Sequence, residues 1–125
     1  MPPTILVVED DAPVRDFFIR ALQSAGLDTV EAWNAEAALK LIQSGLRPDA
    51  VLLDLSMPGI GGFGFLQKFR TDPRHRAIPV AIVTGHLFVP DEVRAMAEEL
   101  GVAIHHKPVT LEQLFDLTNA LLQRS

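Results

Sequence analysis

Polar side chains that can bind a cation and a phosphoryl group follow four short apolar runs of this sequence. The runs cover residues 4–8, 50–53, 80–83 and 102–104, and the polar residues that come after them are Glu9 and Asp10, Asp54, Thr84 and, beyond two histidines, Lys107. If the runs are neighbouring parallel strands, these side chains meet at one edge of one sheet. Three carboxylates, a hydroxyl and an ammonium group would then share one pocket.

The three carboxylates need positive charge close to them. Two unit charges about 4 Å apart repel by roughly 4 kcal/mol at an effective dielectric constant near 20. Lys107 can offset one negative charge, and a divalent cation held by oxygen ligands is the usual remedy for the rest, with Mg2+ the best fit. A phosphoryl group could bridge the cation and Lys107, with Thr84 donating a hydrogen bond to it. Asp54 is then the natural nucleophile.

The rest of the sequence alternates strand patterns with helix patterns. Helical stripes of apolar residues follow the runs, and several carry helix-end signals. Asp11 and Asn34 are predicted N-caps, and Gly26 is predicted to follow the C-terminal end of the first helix. Thr110 with Gln113 forms a capping-box pattern. Met96 and the phenylalanines are interpreted as core residues. We therefore expect five strand-then-helix units.

Five such units predict an α/β protein with a doubly wound, five-stranded parallel sheet and five helices. The second strand, residues 28–32, is short and mixed in polarity, so it is expected at an edge of the sheet. Right-handed crossovers then favour the strand order 2-1-3-4-5, which is flavodoxin-like. The chain of 125 residues is expected to form a single domain, 1–125.

Composition excludes several classes of partner. A net charge of −5 without clustered basic residues argues against direct binding of nucleic acid. The chain has no cysteine, and its apolar runs fall far short of the roughly 18 residues that suggest a membrane span. We therefore expect a cytoplasmic protein that does not bind membranes.

Four motifs in order resemble the receiver domain of two-component response regulators. They are ILVVEDDAPVR (5–15), VLLDLSMPGIGG (51–62), IPVAIVTG (78–85) and HKPVTLEQL (106–114). The resemblance implies that Asp54 accepts a phosphoryl group from a phosphohistidine on a sensor kinase or a phosphotransfer protein. Phosphorylation and dephosphorylation would be self-catalysed, and the chain would otherwise not be an enzyme.

The same resemblance assigns roles to the other pocket residues. It implies that Asp10, Asp54 and the backbone carbonyl of Ser56 bind Mg2+, and that Glu9 contacts the ion through water. Thr84 and Lys107 would contact the phosphoryl oxygens. The peptide bond from Lys107 to Pro108 would be cis, a form found in about 5% of X-Pro bonds.

The chain departs from the family pattern near Lys107. Ile104 occupies the position where receivers usually carry an aromatic residue that reports phosphorylation, and His105 is a candidate substitute. We expect an altered output through this face. Ser56 and His86 stand at positions that tune dephosphorylation in such domains. The downstream protein target is unknown, and the sequence leaves open whether the last helices form a homodimer.

Three alternative functions and one alternative metal site compete with this assignment. A phosphotransferase of the haloacid dehalogenase type needs a second aspartate two residues after the nucleophile, where this chain has Ser56. A flavodoxin-like redox protein needs a phosphate cradle after the first strand, but residues 9–11 are three carboxylates that repel phosphate. A metal site built from histidines is disfavoured, because His105 and His106 would point to opposite faces of a strand. A pseudo-receiver that only docks a partner stays open.

Overall fold

The structure is a computed structural model that describes residues 2–55, 57, 59–85 and 89–124. In these residues strands and helices alternate along the chain. The strands are β1 (Thr4–Val8), β2 (Asp28–Ala32), β3 (Ala50–Leu53), β4 (Val80–Thr84) and β5 (Ala103–His106). The helices are α1 (Ala12–Ser24), α2 (Ala35–Gln43), α3 (Gly61–Thr71), α4 (Asp91–Glu99) and α5 (Leu111–Arg124).

The five strands form one parallel sheet in the order β2-β1-β3-β4-β5, which confirms the predicted fold. The central strands β1, β3 and β4 are almost entirely buried, as parallel strands covered on both faces must be. β2 and β5 lie at the two edges and are more polar. The carboxyl ends of β1 and β3 lie side by side at the point where the chain reverses its winding direction, which is where ligands bind in such sheets.

Alternate residues of the strands pack into two separate cores. One core lies under α2, α3 and α4 and contains Leu6, Leu53, Phe65 and Ile82. The other lies under α1 and α5 and contains Val7, as well as residues of both helices. Because side chains alternate along each strand, both faces of the sheet are covered and its strands are packed from either side.

The helix-end signals are confirmed. Asp11 accepts a hydrogen bond from Val14 N–H, and Asn34 accepts one from Ala37 N–H. Thr110 and Gln113 form the reciprocal pair of a capping box. In the described part of the chain, no helix is both long enough and apolar enough to cross a membrane.

Two details differ from the sequence analysis. Phe17 was interpreted as core, but it is 40% exposed, because Phe18 takes the inward position on α1. Pro73–His75 form a short 3-10 turn before β4 that the periodicity did not predict. His75 in that turn is buried and stacks on Phe69 with ring centres 4.7 Å apart.

Candidate functional site

The first two strand ends bring Glu9 and Asp54 together. Each residue directly follows its strand, and β1 and β3 are hydrogen-bonded neighbours. Asp54 N–H donates to Val8 carbonyl oxygen at 2.9 Å, which extends the ladder by one residue. Glu9 N–H donates to the carbonyl oxygen of Ala32 at 3.0 Å on the other side. Backbone hydrogen bonds therefore fix both carboxylates at the sheet edge.

Three carboxylates meet at this edge. Glu9, Asp10 and Asp54 each offer an oxygen, and these oxygens lie within 4.8 Å of one another. Glu9 and Asp54 are buried, with 1% and 4% of their surfaces exposed, whereas Asp10 is exposed to solvent. Oxygen ligands of this kind, part buried and part open to water, are what Mg2+ prefers in proteins.

The ammonium group of Lys107 lies beside the two buried carboxylates. Its Nζ lies 2.5 Å from Glu9 Oε1 and 3.8 Å from Asp54 Oδ1. Its backbone N–H donates to Thr84 carbonyl oxygen at 2.8 Å, so the loop after β5 is tied to the end of β4. The peptide bond between Lys107 and Pro108 is cis, as the resemblance implied.

The charge balance of the pocket appears in the pKa of Glu9. The pKa of Glu9 is raised from 4.5 to about 7, mainly because the carboxyl is buried and also because the Asp54 carboxylate lies close to it. The hydrogen bond and the positive charge of Lys107 act in the opposite direction without cancelling the burial. Lys107 thus does not offset the cost of burying Glu9 beside Asp54, and the three oxygen donors of the pocket fit a divalent cation.

Thr84 ends β4 and is fully buried. It is paired with His106 in the β4–β5 register and lies next to the loop that carries Lys107. The structure therefore brings Glu9, Asp10, Asp54 and Lys107 into one pocket by side-chain distances, and it puts Thr84 at the same sheet edge. Of the other predicted positions, Ser56 and His86 lie outside the described residues.

Two residues that support the pocket were missed by the sequence analysis. Arg15, on α1, donates a hydrogen bond from Nη1 to Glu9 carbonyl oxygen at 2.9 Å. Glu36, at the start of α2, accepts a hydrogen bond from Ile60 N–H at 3.1 Å in the loop after Asp54. Neither shows a spacing signal, because each contact joins elements that only the fold brings together.

Ile104 and His105 lie on opposite faces of β5. Ile104 pairs with Ile82 and packs against the core under α4. His105 pairs with Val83, which faces the α1–α5 core, so alternation puts it on the opposite side of the sheet. His105 therefore lies on the face opposite Ile104, and the aliphatic Ile104 occupies the position three residues before Lys107.

The fold and this pocket define a class of protein, and comparison with known proteins agrees with it. Residues 5–119 match the response regulator receiver domain family, so the chain belongs to that family of two-component signalling domains. Its acidic pocket of Glu9, Asp10 and Asp54 is typical of a phospho-accepting site. The matched family is neither the haloacid dehalogenase family nor the flavodoxin family, which disfavours those two alternatives.

Individual relatives show the same pattern. The chain is 32% identical to the phosphate regulon transcriptional regulatory protein PhoB of Escherichia coli, over 99% of this chain and 53% of PhoB. It is 35% identical to the response regulator MprA of Mycolicibacterium vanbaalenii, over 100% of this chain and 52% of MprA. The chain thus spans about half the length of these curated relatives.

Solved structures agree in fold. A response regulator receiver protein from Pseudomonas putida superposes with a TM-score of 0.84 at 31% identity, covering 96% of this chain and 98% of that one. The receiver domain of NtrX from Brucella abortus gives a TM-score of 0.83 at 28% identity, covering 97% and 99%.

Proposed function

We propose that residues 1–125 act as a single receiver domain in a cytoplasmic two-component pathway, and that Asp54 is its phosphoryl acceptor. The donor is a phosphohistidine on a sensor kinase or phosphotransfer protein. Phosphorylation then changes the contacts of the domain with a downstream protein, or with a second copy of itself through the last helices. Membership of the family implies a cognate histidine kinase.

One observation carries this proposal. The buried Asp54 carboxylate lies 3.8 Å from Lys107 Nζ, and Asp54, Glu9 and Asp10 offer oxygens within 4.8 Å of one another. A buried carboxylate is costly unless it is paired or used. Here it is beside an ammonium group that can also contact a phosphoryl oxygen, which suits a site that gains negative charge during its reaction.

The proposed reaction is a transfer between two side chains. An Asp54 oxygen attacks phosphorus, the P–N bond to the donor imidazole breaks, and its electron pair stays on the imidazole nitrogen. The Lys107 ammonium group pairs with one phosphoryl oxygen, and the Thr84 hydroxyl donates a hydrogen bond to another. In dephosphorylation a water molecule attacks phosphorus, the bond to the Asp54 oxygen breaks, and inorganic phosphate and the Asp54 carboxylate are released.

Glu9, Asp10 and Asp54 would hold Mg2+, together with the carbonyl of Ser56. Bound Mg2+ supplies two positive charges that stabilise the oxygens of the transferring phosphoryl group. Support for this assignment comes from the three carboxylate oxygens that lie within 4.8 Å of one another, a donor set that suits Mg2+.

A groove beside Lys107 offers a surface on which the phosphodonor protein can dock. It has a volume of about 450 Å³, is mainly apolar, and is lined by residues of α1 and of the loop after β5, including Pro13, Phe17 and Pro108. Phe17 is 40% exposed there. We expect Phe17→Ala to slow phosphotransfer from a kinase that labels the wild type while leaving labelling by acetyl phosphate unchanged. An equal loss with both donors would reject this docking surface.

The test of the proposed function is labelling by acetyl phosphate with and without Mg2+. We expect the mass of the wild type to increase by one phosphoryl group only when Mg2+ is present, and Asp54→Asn to stay unlabelled. Asp49→Asn is the matched control, because Asp49 is exposed and lies before β3 at the opposite end of the sheet. A wild type that binds partners but takes no phosphoryl group from either donor class would instead identify a pseudo-receiver.

A further inference from the structure

We propose that Glu36 is a positioning residue of the phosphoryl site, because its carboxylate holds the loop that follows Asp54. This acceptor loop comprises residues 55–62, of which 55, 57 and 59–62 are described. The proposal rests on the proposed function, since it assigns Glu36 a role at the same site. Glu36 itself does not touch the reacting atoms.

Two observations show how closely Glu36 fits the acceptor loop. Its Oε1 accepts a hydrogen bond from Ile60 N–H at 3.1 Å, although the residues are 24 positions apart in sequence. The preceding residue, Gly59, has φ of +80°, and a Cβ built on it would overlap with the Glu36 carboxylate. The loop backbone therefore needs glycine here both for its conformation and for the approach of Glu36.

The start of α3 explains why a carboxylate from another helix is useful. In the described residues, Ile60 at the N-cap position makes no side-chain cap, and the first turn of α3 contains no acidic residue. A helix N-terminus has unpaired N–H groups and a partial positive charge. Glu36 supplies the missing acceptor and negative charge, and the hydrogen bond from Ile60 N–H lowers the pKa of Glu36.

The loop transmits the position of Ile60 to Asp54. Gly62 N–H donates to Leu55 carbonyl oxygen at 3.3 Å, which closes the base of the acceptor loop. A Cβ built on Gly62 would overlap with the backbone of Asp54 and Leu55, so these backbones are already in contact. A shift of Ile60 therefore displaces Gly62 against the Asp54 backbone. Glu36 fixes one side of this contact from α2.

The first test uses metal-free protein and backbone amide NMR. We compare Glu36→Ala, which removes the acceptor, with Glu36→Gln, which keeps an Oε1 acceptor. Glu112→Ala is the control, because it removes the same charge from the first turn of α5. In the wild type the chemical shift of the Ile60 amide proton should follow the ionisation of Glu36. The midpoint of that change should lie below pH 4.5, the ordinary pKa of glutamate.

We expect Glu36→Ala to shift the amide signals of Asp54 and Gly62, whereas Glu36→Gln and Glu112→Ala leave them in place. Unchanged Asp54 and Gly62 signals in Glu36→Ala would overturn the proposal. Signals that shift equally in Glu36→Gln would also overturn it, because the hydrogen-bond acceptor at Oε1 would then contribute nothing to the position of the loop.

The second test measures Mg2+ affinity and labelling by acetyl phosphate. Loss of one hydrogen bond to a charged acceptor at the surface should weaken Mg2+ binding and slow labelling by about fivefold in Glu36→Ala. Glu36→Gln should stay within about twofold of the wild type. Equal affinity and rate in Glu36→Ala and wild type would overturn the positioning role. A wild type that is not labelled at all would overturn the proposed function instead, and the metal-free comparison would still decide the role of Glu36.

Discussion

Substitution of Glu9 by glutamine should remove a strong pH dependence from the stability of the metal-free protein. Glu9 is 1% exposed, and burial is the largest cause of its raised pKa. A rise from 4.5 to about 7 corresponds to about 3 kcal/mol, at about 1.4 kcal/mol for each pH unit. Because the side chain is almost wholly buried, solvent screens little of this energy.

The sign follows from proton binding. Between pH 4.5 and about 7 the folded protein keeps a proton on Glu9 that the unfolded chain has released. The free energy of unfolding therefore falls as pH rises through this window, and it levels off above the folded pKa. Stability from the protonated carboxyl is fully present below pH 4.5 and is lost above about pH 7. Glu9→Gln has no proton to lose, so this contribution disappears.

Urea unfolding followed by circular dichroism, with a chelator present, measures the effect at a series of pH values. The difference between the wild type and Glu9→Gln should change by about 3 kcal/mol across the window, which exceeds the usual extrapolation error. Glu98→Gln removes an equal charge from an exposed position on α4. Its free energy of unfolding should change with pH in the same way as that of the wild type. A wild type and Glu9→Gln that differ by a constant amount from pH 4.5 to above 7 would refute the reasoning.

Three further predictions concern the same pocket. Asp54→Asn should lower the pKa of Glu9, because Asp54 raises it, and a narrower pH window in the unfolding experiment would show this. Lys107→Met should raise the pKa of Glu9 still further, because the ammonium group favours the ionised form; carboxyl-carbon NMR of Glu9 measures it, and an unchanged midpoint would contradict the ion pair. Gly62→Ala should destabilise the fold by about 2 kcal/mol, since its Cβ would overlap with the backbone of Asp54, and unaltered urea unfolding would contradict that contact.

The sequence predicted the part of the site that strand ends control. In a parallel sheet, the residue after each buried strand has its place set by the ladder, so Glu9 and Asp54 could be brought together from chain order alone. The contact of Lys107 with both followed from the same rule. Side-chain roles of Thr84, and of Ser56 toward a metal, stay predictions.

Contacts between loops and helix faces could not be predicted from the sequence. Arg15 and Glu36 look like ordinary charged helix residues, and only the packing of α1 and α2 brings them to Glu9 and Ile60. The prediction that Phe17 is a core residue was wrong for a related reason. Two adjacent phenylalanines cannot both point inward from one helix, and periodicity alone did not decide between Phe17 and Phe18.

The structure also narrows how a signal could leave the pocket. Ile104 has no polar group, and it packs against the core under α4, so a ring that exchanges hydrogen bonds is not available at this place. Backbone contacts join the pocket to β5: Lys107 N–H donates to Thr84 carbonyl oxygen, and Thr84 pairs with His106. A movement of Thr84 toward a phosphoryl group would therefore pull on β5 directly. Because β5 is an edge strand that only β4 holds within the sheet, it can follow that movement without disrupting a second ladder.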